Sequence, residues 1–192
     1  MIITRSSCAQ SRRAWIHAAA AVACLPLWAC RKSDPHAAPR RGVARKPLDA
    51  QGRPQPSDDD ICAMCAMRVA EHPQWVGAIE LEDGTTFYFC SVRCTFGASL
   101  RATEFLGTDA SRIRRMRVPD YLSGERWLDA DGALFVVDSD VLGPMGLELV
   151  PAANQADADV IVQRHGGRVV RRGDVTLAML KDLKARSAAP KR

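Results

Sequence analysis

The residues most able to do chemistry are sulfurs. The chain contains seven cysteines, and four of them form two close pairs, Cys62-x-x-Cys65 and Cys90-x-x-x-Cys94. Three chemistries suit four thiols at this spacing. A structural Zn²⁺ would take all four as thiolates. In an oxidising compartment the same even count would form disulfides. A soft-metal site would use thiolate and thioether to hold Cu(I). Methionines favour the last reading. Met64 and Met67 interleave with the first pair in Cys62-Ala63-Met64-Cys65-Ala66-Met67. Zinc is not ordinarily held by thioether, whereas Cu(I) takes it readily. A third thioether, Met145, sits in the Gly143-Pro144-Met145-Gly146 loop. The candidate metal ligands are therefore Cys62, Cys65, Met67, Cys90, Cys94 and Met145. The histidines carry less. His165 before Gly166-Gly167 reads as a helix end whose imidazole complements the dipole, with ligation as the second reading. His72 and His36 read as bystanders.

Local elements must bring these sulfurs together. Gln74–Leu81 and Thr86–Cys90 read as strands joined at Asp83-Gly84, where glycine supplies a positive φ. Ser91 is placed to cap a helix running through Phe96 and Leu100, so that Cys90 and Cys94 share one helical face. Arg112–Val118 reads as a strand. A second pass repeats the grammar: strands Arg126–Ala130 and Ala133–Asp138 around Asp131-Gly132, then a helix Asn154–His165, a strand Arg168–Val170, and a last helix Val175–Lys184 capped by Asp174. Both passes carry Asp-Gly-x-x-Phe, at Asp83, Gly84, Phe87 and at Asp131, Gly132, Phe135. The expected fold class is α+β, two related ββα-type units in one small domain spanning residues 58–185, with a flexible tail over 186–192.

The segment ahead of the domain is an address and a tether. Arg5, Arg12 and Arg13 precede an apolar run, Ala14 to Trp28, as in an export signal covering residues 1–29. The run ends in Leu27-Trp28-Ala29-Cys30, which looks like a bacterial lipobox with Cys30 as the acylated residue. Ser11-Arg12-Arg13-Ala14-Trp15 also fits a twin-arginine signal, so export runs by the Sec or the twin-arginine route. Arg31, where inner-membrane retention uses aspartate, points to the outer membrane. Residues 30–57, with five prolines and little apolar content, read as a disordered tether.

Charge narrows the function further. The net charge is +5, yet residues 58–192 hold 17 basic and 20 acidic residues, so the basic excess lies in leader and tether. A nucleic-acid partner loses its electrostatic footprint.

Several of these motifs, in order, resemble the nitrous oxide reductase accessory lipoproteins, the NosL family. The resemblance runs from the lipobox through Asp60-Ile61-Cys62-x-x-Cys65-x-Met67, Trp75 in the following strand, Asp83-Gly84 and Phe89-Cys90-Ser91. It continues through Asp129-Ala130, Val136, Gly143-Pro144-Met145-Gly146-x-Glu148-Leu149-Val150-Pro151 and His165-Gly166-Gly167. It implies a periplasmic, lipid-anchored Cu(I) chaperone that is not an enzyme. The partners it implies are nitrous oxide reductase and a membrane ABC-type maturation complex. It also implies two ββα-type units similar to part of organomercurial lyase. Two departures stand out. The family's Cys-Gly-Met is here Cys65-Ala66-Met67, and Cys94 is an addition that resembles the pattern of heavy-metal-binding treble-clef domains.

In this reading Cys65 and Cys90 anchor the metal, while Met67 and Met145 serve as incoming or outgoing ligands. Two other classes remain open: a thiol–disulfide oxidoreductase using Cys62-x-x-Cys65, and a zinc-stapled interaction module. A thioredoxin-like motif would follow a strand and open a helix, and this one follows the tether. Lysis of organomercurials has fold analogy alone behind it. The lipobox gives the first test. Cys30→Ala should leave the protein unprocessed or soluble, and membrane retention with the normal mass in that variant would contradict acylation.

Overall fold

The computed structural model describes residues 46–188. The leader, Cys30, His36, the tether as far as residue 45 and the tail from residue 189 lie outside them.

Pro73 has a fixed φ and no N–H, which suits the first position of a short helix. It opens a 3₁₀ turn, Pro73–Trp75, so Trp75 precedes the first strand instead of lying in it. Strand β1 (Gly77–Leu81) then turns at Asp83-Gly84 into β2 (Thr86–Phe89). Gly84 takes φ +82°, and the Asp83 carboxylate accepts from Thr85 N at 2.9 Å, as the turn chemistry expects. Helix α1 (Val92–Ser99) and the short α2 (Ala102–Phe105) lead to β3 (Ile113–Pro119) and β4 (Trp127–Asp129). All pairings are antiparallel, in the order β2-β1-β3-β4. Ile79 on the central strand lies opposite Phe87 and Met116.

The second unit starts with β5 (Leu134–Val137) and reaches β8 (Val150–Ala152) after a small hairpin of β6 (Leu142–Gly143) and β7 (Gly146–Leu147). Helix α3 (Gln155–His165), capped by Asn154 accepting from Asp157 N, returns the chain to β9 (Arg168–Arg171). The sheet order is β8-β5-β9, again antiparallel. Each unit therefore has its first strand in the centre, its second on one flank, a helix, and its third strand on the other flank. The α+β class and the doubled unit both hold. Phe96 of α1 meets Phe135 of β5 edge-on, ring centroids 4.8 Å apart, and this contact packs one unit on the other.

Several details differ from the sequence reading. Asp131-Gly132 makes no hairpin, because β4 pairs with β3 while β5 pairs with β8 and β9. That turn hands the chain from one sheet to the next, so the two Asp-Gly-x-x-Phe copies are not equivalent positions. Asp174 ends a 3₁₀ turn, Arg172–Asp174, and α4 (Leu177–Ala188) starts after Thr176, whose hydroxyl accepts from Met179 N.

Both ends of the domain are longer than expected. Residues 46–57 lie on the sheet and are no part of a free tether. The Tyr88 hydroxyl accepts from Gln55 N at 3.1 Å and donates to the Lys46 carbonyl at 3.3 Å. Asp60, almost fully buried, accepts from Ser57 N at 2.6 Å and faces Lys46 Nζ at 3.5 Å. A buried phenol and carboxylate need polar partners, and this segment supplies them. At the far end, residues 186–188 are helical. Arg186 pairs with Asp138 at 3.0 Å, and the Ser187 hydroxyl accepts from Leu147 N at 2.8 Å. Among the described residues no helix is long and apolar enough to cross a membrane.

Candidate metal centre

The first pair of thiols lies on a knuckle closed by its own backbone. Ile61 and Arg68 form an isolated antiparallel bridge. Inside it, Cys62 N donates to the Met67 carbonyl at 2.7 Å and Ala66 N to the Cys62 carbonyl at 3.0 Å. So tight a reversal needs one left-handed residue, and Ala66 takes it at φ +62°. A glycine would adopt this φ without the Cβ penalty that Ala66 carries. The knuckle is pinned to the end of β2 by Ala63 N donating to the Tyr88 carbonyl at 3.1 Å.

The second pair flanks the start of α1. Cys90 follows β2, Ser91 caps the helix by accepting from Cys94 N at 3.0 Å, and Cys94 lies in the first turn. The four sulfurs of Cys62, Cys65, Cys90 and Cys94 all fall within 4.8 Å of one another. Cys65 and Cys90 Sγ are 3.4 Å apart, and Cys90 and Cys94 Sγ 4.0 Å. A tetrahedral ion with metal–sulfur bonds of about 2.3 Å would separate its ligands by roughly 3.8 Å. The cage is thus sized for one ion. All four are free thiols. Cys62, Cys90 and Cys94 are buried, and Cys65 is half-exposed.

Four adjacent sulfurs cannot all ionise without a cation. The Cys62 thiol is pushed far below its ordinary range by hydrogen bonds from Cys65, then from Cys90 and Cys94. Cys65 is also lowered: its bond to Cys62 raises it, and those with Cys90 and Cys94 outweigh that. Cys90 and Cys94 are held high, first by their bonds to Cys62 and Cys65 and then by burial. Metal entry must therefore displace protons from the helix-borne pair.

Not every methionine reaches this centre. Met64 leads the sulfurs out toward solvent. Its side chain lies in a hollow on α1 left by Gly97, where an added Cβ would come within 2.8 Å of the Met64 Sδ. Met64, Cys65, Cys94 and Met145 line one open cavity of about 470 Å³. Met67 is not among its lining residues and contributes its backbone carbonyl to the knuckle. His165 is also elsewhere: its Nδ1 lies 2.9 Å from Asp140 Oδ1, and its ring stands edge-on to Tyr121.

One residue of the site escaped the sequence reading. Glu148 is completely buried, and its Oε1 accepts from the backbone N–H of Arg93 at 2.6 Å and of Leu149 at 3.1 Å. It braces the first turn of α1, where N–H groups lack helical partners. The Arg93 guanidinium answers in the opposite direction, donating to the Leu147 carbonyl at 2.9 Å and to that of Met145. Together these two residues clamp the Met145 loop to the helix carrying Cys94. Gly146 makes room for the clamp, with φ +91° and an added Cβ only 2.4 Å from the Ser187 side chain.

The NosL family profile matches residues 54–180. The chain belongs to the NosL family. A protein described as the copper-binding lipoprotein NosL of Stutzerimonas stutzeri is 28% identical over 127 residues, 65% of this chain and 66% of that one, just under two thirds of its length. The crystal structure of the copper chaperone NosL from Shewanella denitrificans superposes with a TM-score of 0.58 at 23% identity. It covers 65% of this chain and 96% of that one. This likeness is one of fold. The solution structure of apo-NosL from Achromobacter cycloclastes aligns at a TM-score of 0.40, 30% identity, over 54% of this chain and 87% of that one.

Two tests follow from the local geometry. A left-handed alanine is strained by about 1 kcal/mol relative to glycine. Ala66→Gly should therefore raise the unfolding free energy of the reduced, metal-free protein by that order in a denaturant titration. An unchanged or lower value would contradict the strain. Burial pushes the Glu148 carboxyl up to about 7, against the lowering effect of the Leu149 and Arg93 N–H groups. The folded chain then holds a proton that the unfolded chain, with a glutamate pKa near about 4.3, has already lost. Stability should fall as pH rises from about 4.5 to about 7, by about 3 kcal/mol in all, and that contribution should level off above. Glu148→Gln should remove this slope, and an identical pH profile for both proteins would contradict the account.

Proposed function

We propose that this protein is a Cu(I) chaperone, exported, held at the periplasmic face of a membrane by a lipid on Cys30, and acting by carriage and not by catalysis. The observation that carries the reading is the four-thiol cage with one half-exposed sulfur, Cys65, opening on a cavity that also presents Met64 and Met145. The relative from Stutzerimonas stutzeri is described as a copper-binding lipoprotein, which supports both the cargo and the anchor. Cu(I) is soft, prefers sulfur and is content with two or three ligands. With four thiolates around it, one ligand can leave at a cost in affinity without freeing the ion.

Exchange proceeds at Cys65. Cys62 and Cys90 are enclosed and Cys94 only borders the cavity, so an incoming thiolate, thioether or imidazole meets the metal on the side that Cys65, the most exposed of the four, faces. Met145, on a loop clamped by Arg93 and Glu148, is placed to take or give the ion there. Met64, which lines this cavity, takes the exchange role expected of Met67. The recipient in this reading is nitrous oxide reductase, reached through its membrane ABC-type maturation complex, in line with the family resemblance.

Cys65→Ser should weaken Cu(I) binding by about two orders of magnitude, roughly 3 kcal/mol, because one anionic soft ligand is lost. His165→Ala should leave it unchanged. Competition against a Cu(I) chelator under anaerobic conditions reads both. Equal affinity for the wild type and Cys65→Ser would place the cargo elsewhere, and retention of Zn²⁺ in preference to Cu(I) would favour a zinc-stapled module.

A further inference from the structure

The cavity beside the cage has more surface than metal exchange needs. Its apolar lining is made by Met64, Gly97, Phe105, Leu177 and Leu180. Its rim is cationic. Lys181 and Lys184 stand one turn apart on α4, both exposed, and the Arg101 guanidinium lies over the Phe105 ring, 4.4 Å from its centroid. Arg93 lies deeper, its guanidinium spent on carbonyl oxygens and the Ser187 hydroxyl. No carboxylate belongs to the lining. The nearest neutralising contact is Glu104, 3.3 Å from Arg101 Nη1, while the buried Arg101 Nε has no partner. Neither lysine forms an ion pair among the described residues. This concentration of positive charge stands out in a domain with more acidic than basic residues overall.

An apolar trough with a one-signed rim selects for an occupant of matching form. Adaptable methionine and leucine at the floor accept apolar side chains of varied shape. The rim holds carboxylates that flank those side chains and steers them during encounter. A flat membrane surface does not enter a concave trough between two helices, whereas a protruding segment of a protein does.

The geometry points to this groove as the docking site for the metal-exchanging partner, through a protruding segment whose methionine or other apolar side chains are flanked by aspartate or glutamate. The inference rests on the copper-carrier reading only for the partner's purpose. Docking places the partner's ligand beside Cys65 because both share one cavity, and so couples recognition to exchange. The rim lysines take no part in holding the metal, so charge there should set the rate of transfer and not the affinity for Cu(I).

Binding can be read apart from metal. The probe is a fluorescent peptide carrying two methionines flanked by glutamates, with a counterpart in which lysines replace the glutamates. Both are titrated into the mature, reduced, metal-free protein, followed by anisotropy. The acidic peptide should bind, weaken as salt rises, and lose about tenfold in affinity in the Lys181→Glu/Lys184→Glu protein, about 1.4 kcal/mol. The basic peptide should not bind the wild type. Chelator competition on the same two proteins should give equal Cu(I) affinity. Indifference of the acidic peptide to the double reversal, equal binding of both peptides, or binding to anionic phosphatidylglycerol vesicles in place of the peptide would overturn the groove assignment. Intact peptide docking without Cu(I) binding would remove the copper reading and leave the groove in place.

Discussion

One backbone hydrogen bond, from Ala63 N–H to the Tyr88 carbonyl, fixes where a short knuckle meets the end of a strand, and the sulfur cage exists only where they meet. Cys62 and Cys65 lie in a reversal that no regular element supports. Cys90 and Cys94 lie where β2 gives way to α1. Neither pair can encage an ion alone. Four sulfurs also resist assembly, since each added thiolate repels the others in a buried setting. The fold answers by sharing protons, with the first charge on Cys62 and the helix-borne thiols kept neutral. A metal ion entering the cage therefore replaces protons on the helix-borne thiols.

The rest of the domain can be understood as support for that meeting. Tyr88 is held from beneath by residues 46–57, so the strand that receives the knuckle is tied to the chain that leads into it. Glu148 and Arg93 clamp the Met145 loop to α1, and Ser187 of the last helix holds that loop from outside. The second unit carries no cysteine of the cage. It supplies the loop, the buried Glu148 and part of the wall of the groove, while the four thiols come from the first unit.

Much of this was legible in the residues. The two cysteine pairs, the Asp83-Gly84 hairpin and the Ser91 cap depend on chemistry within a few residues, and each is present in the structure. Apart from two local slips, at Trp75 and Asp174, what failed depended on distant partners. Asp131-Gly132 has a hairpin's composition, but whether the flanking strands pair is decided by β3, β8 and β9. Residues 46–57 look like linker because their apolar content is low, yet a buried phenol and a buried carboxylate recruit their backbone. Glu148 reads as one more acid until Arg93 N–H is placed against it. Met64 and Met67 are equivalent as letters, and only the missing side chain of Gly97 shows which of them turns toward the groove.

The central claim is that the cargo is held by the four clustered cysteines, and counting reactive thiols tests it most directly. The mature protein would be reduced, alkylated with and without one equivalent of Cu(I), and mapped by mass spectrometry under anaerobic conditions. The account predicts that Cu(I) protects Cys65 most visibly, since it is the most exposed of the four, and that partial denaturation extends protection to Cys62, Cys90 and Cys94. Equal alkylation of all four with and without Cu(I) would contradict it.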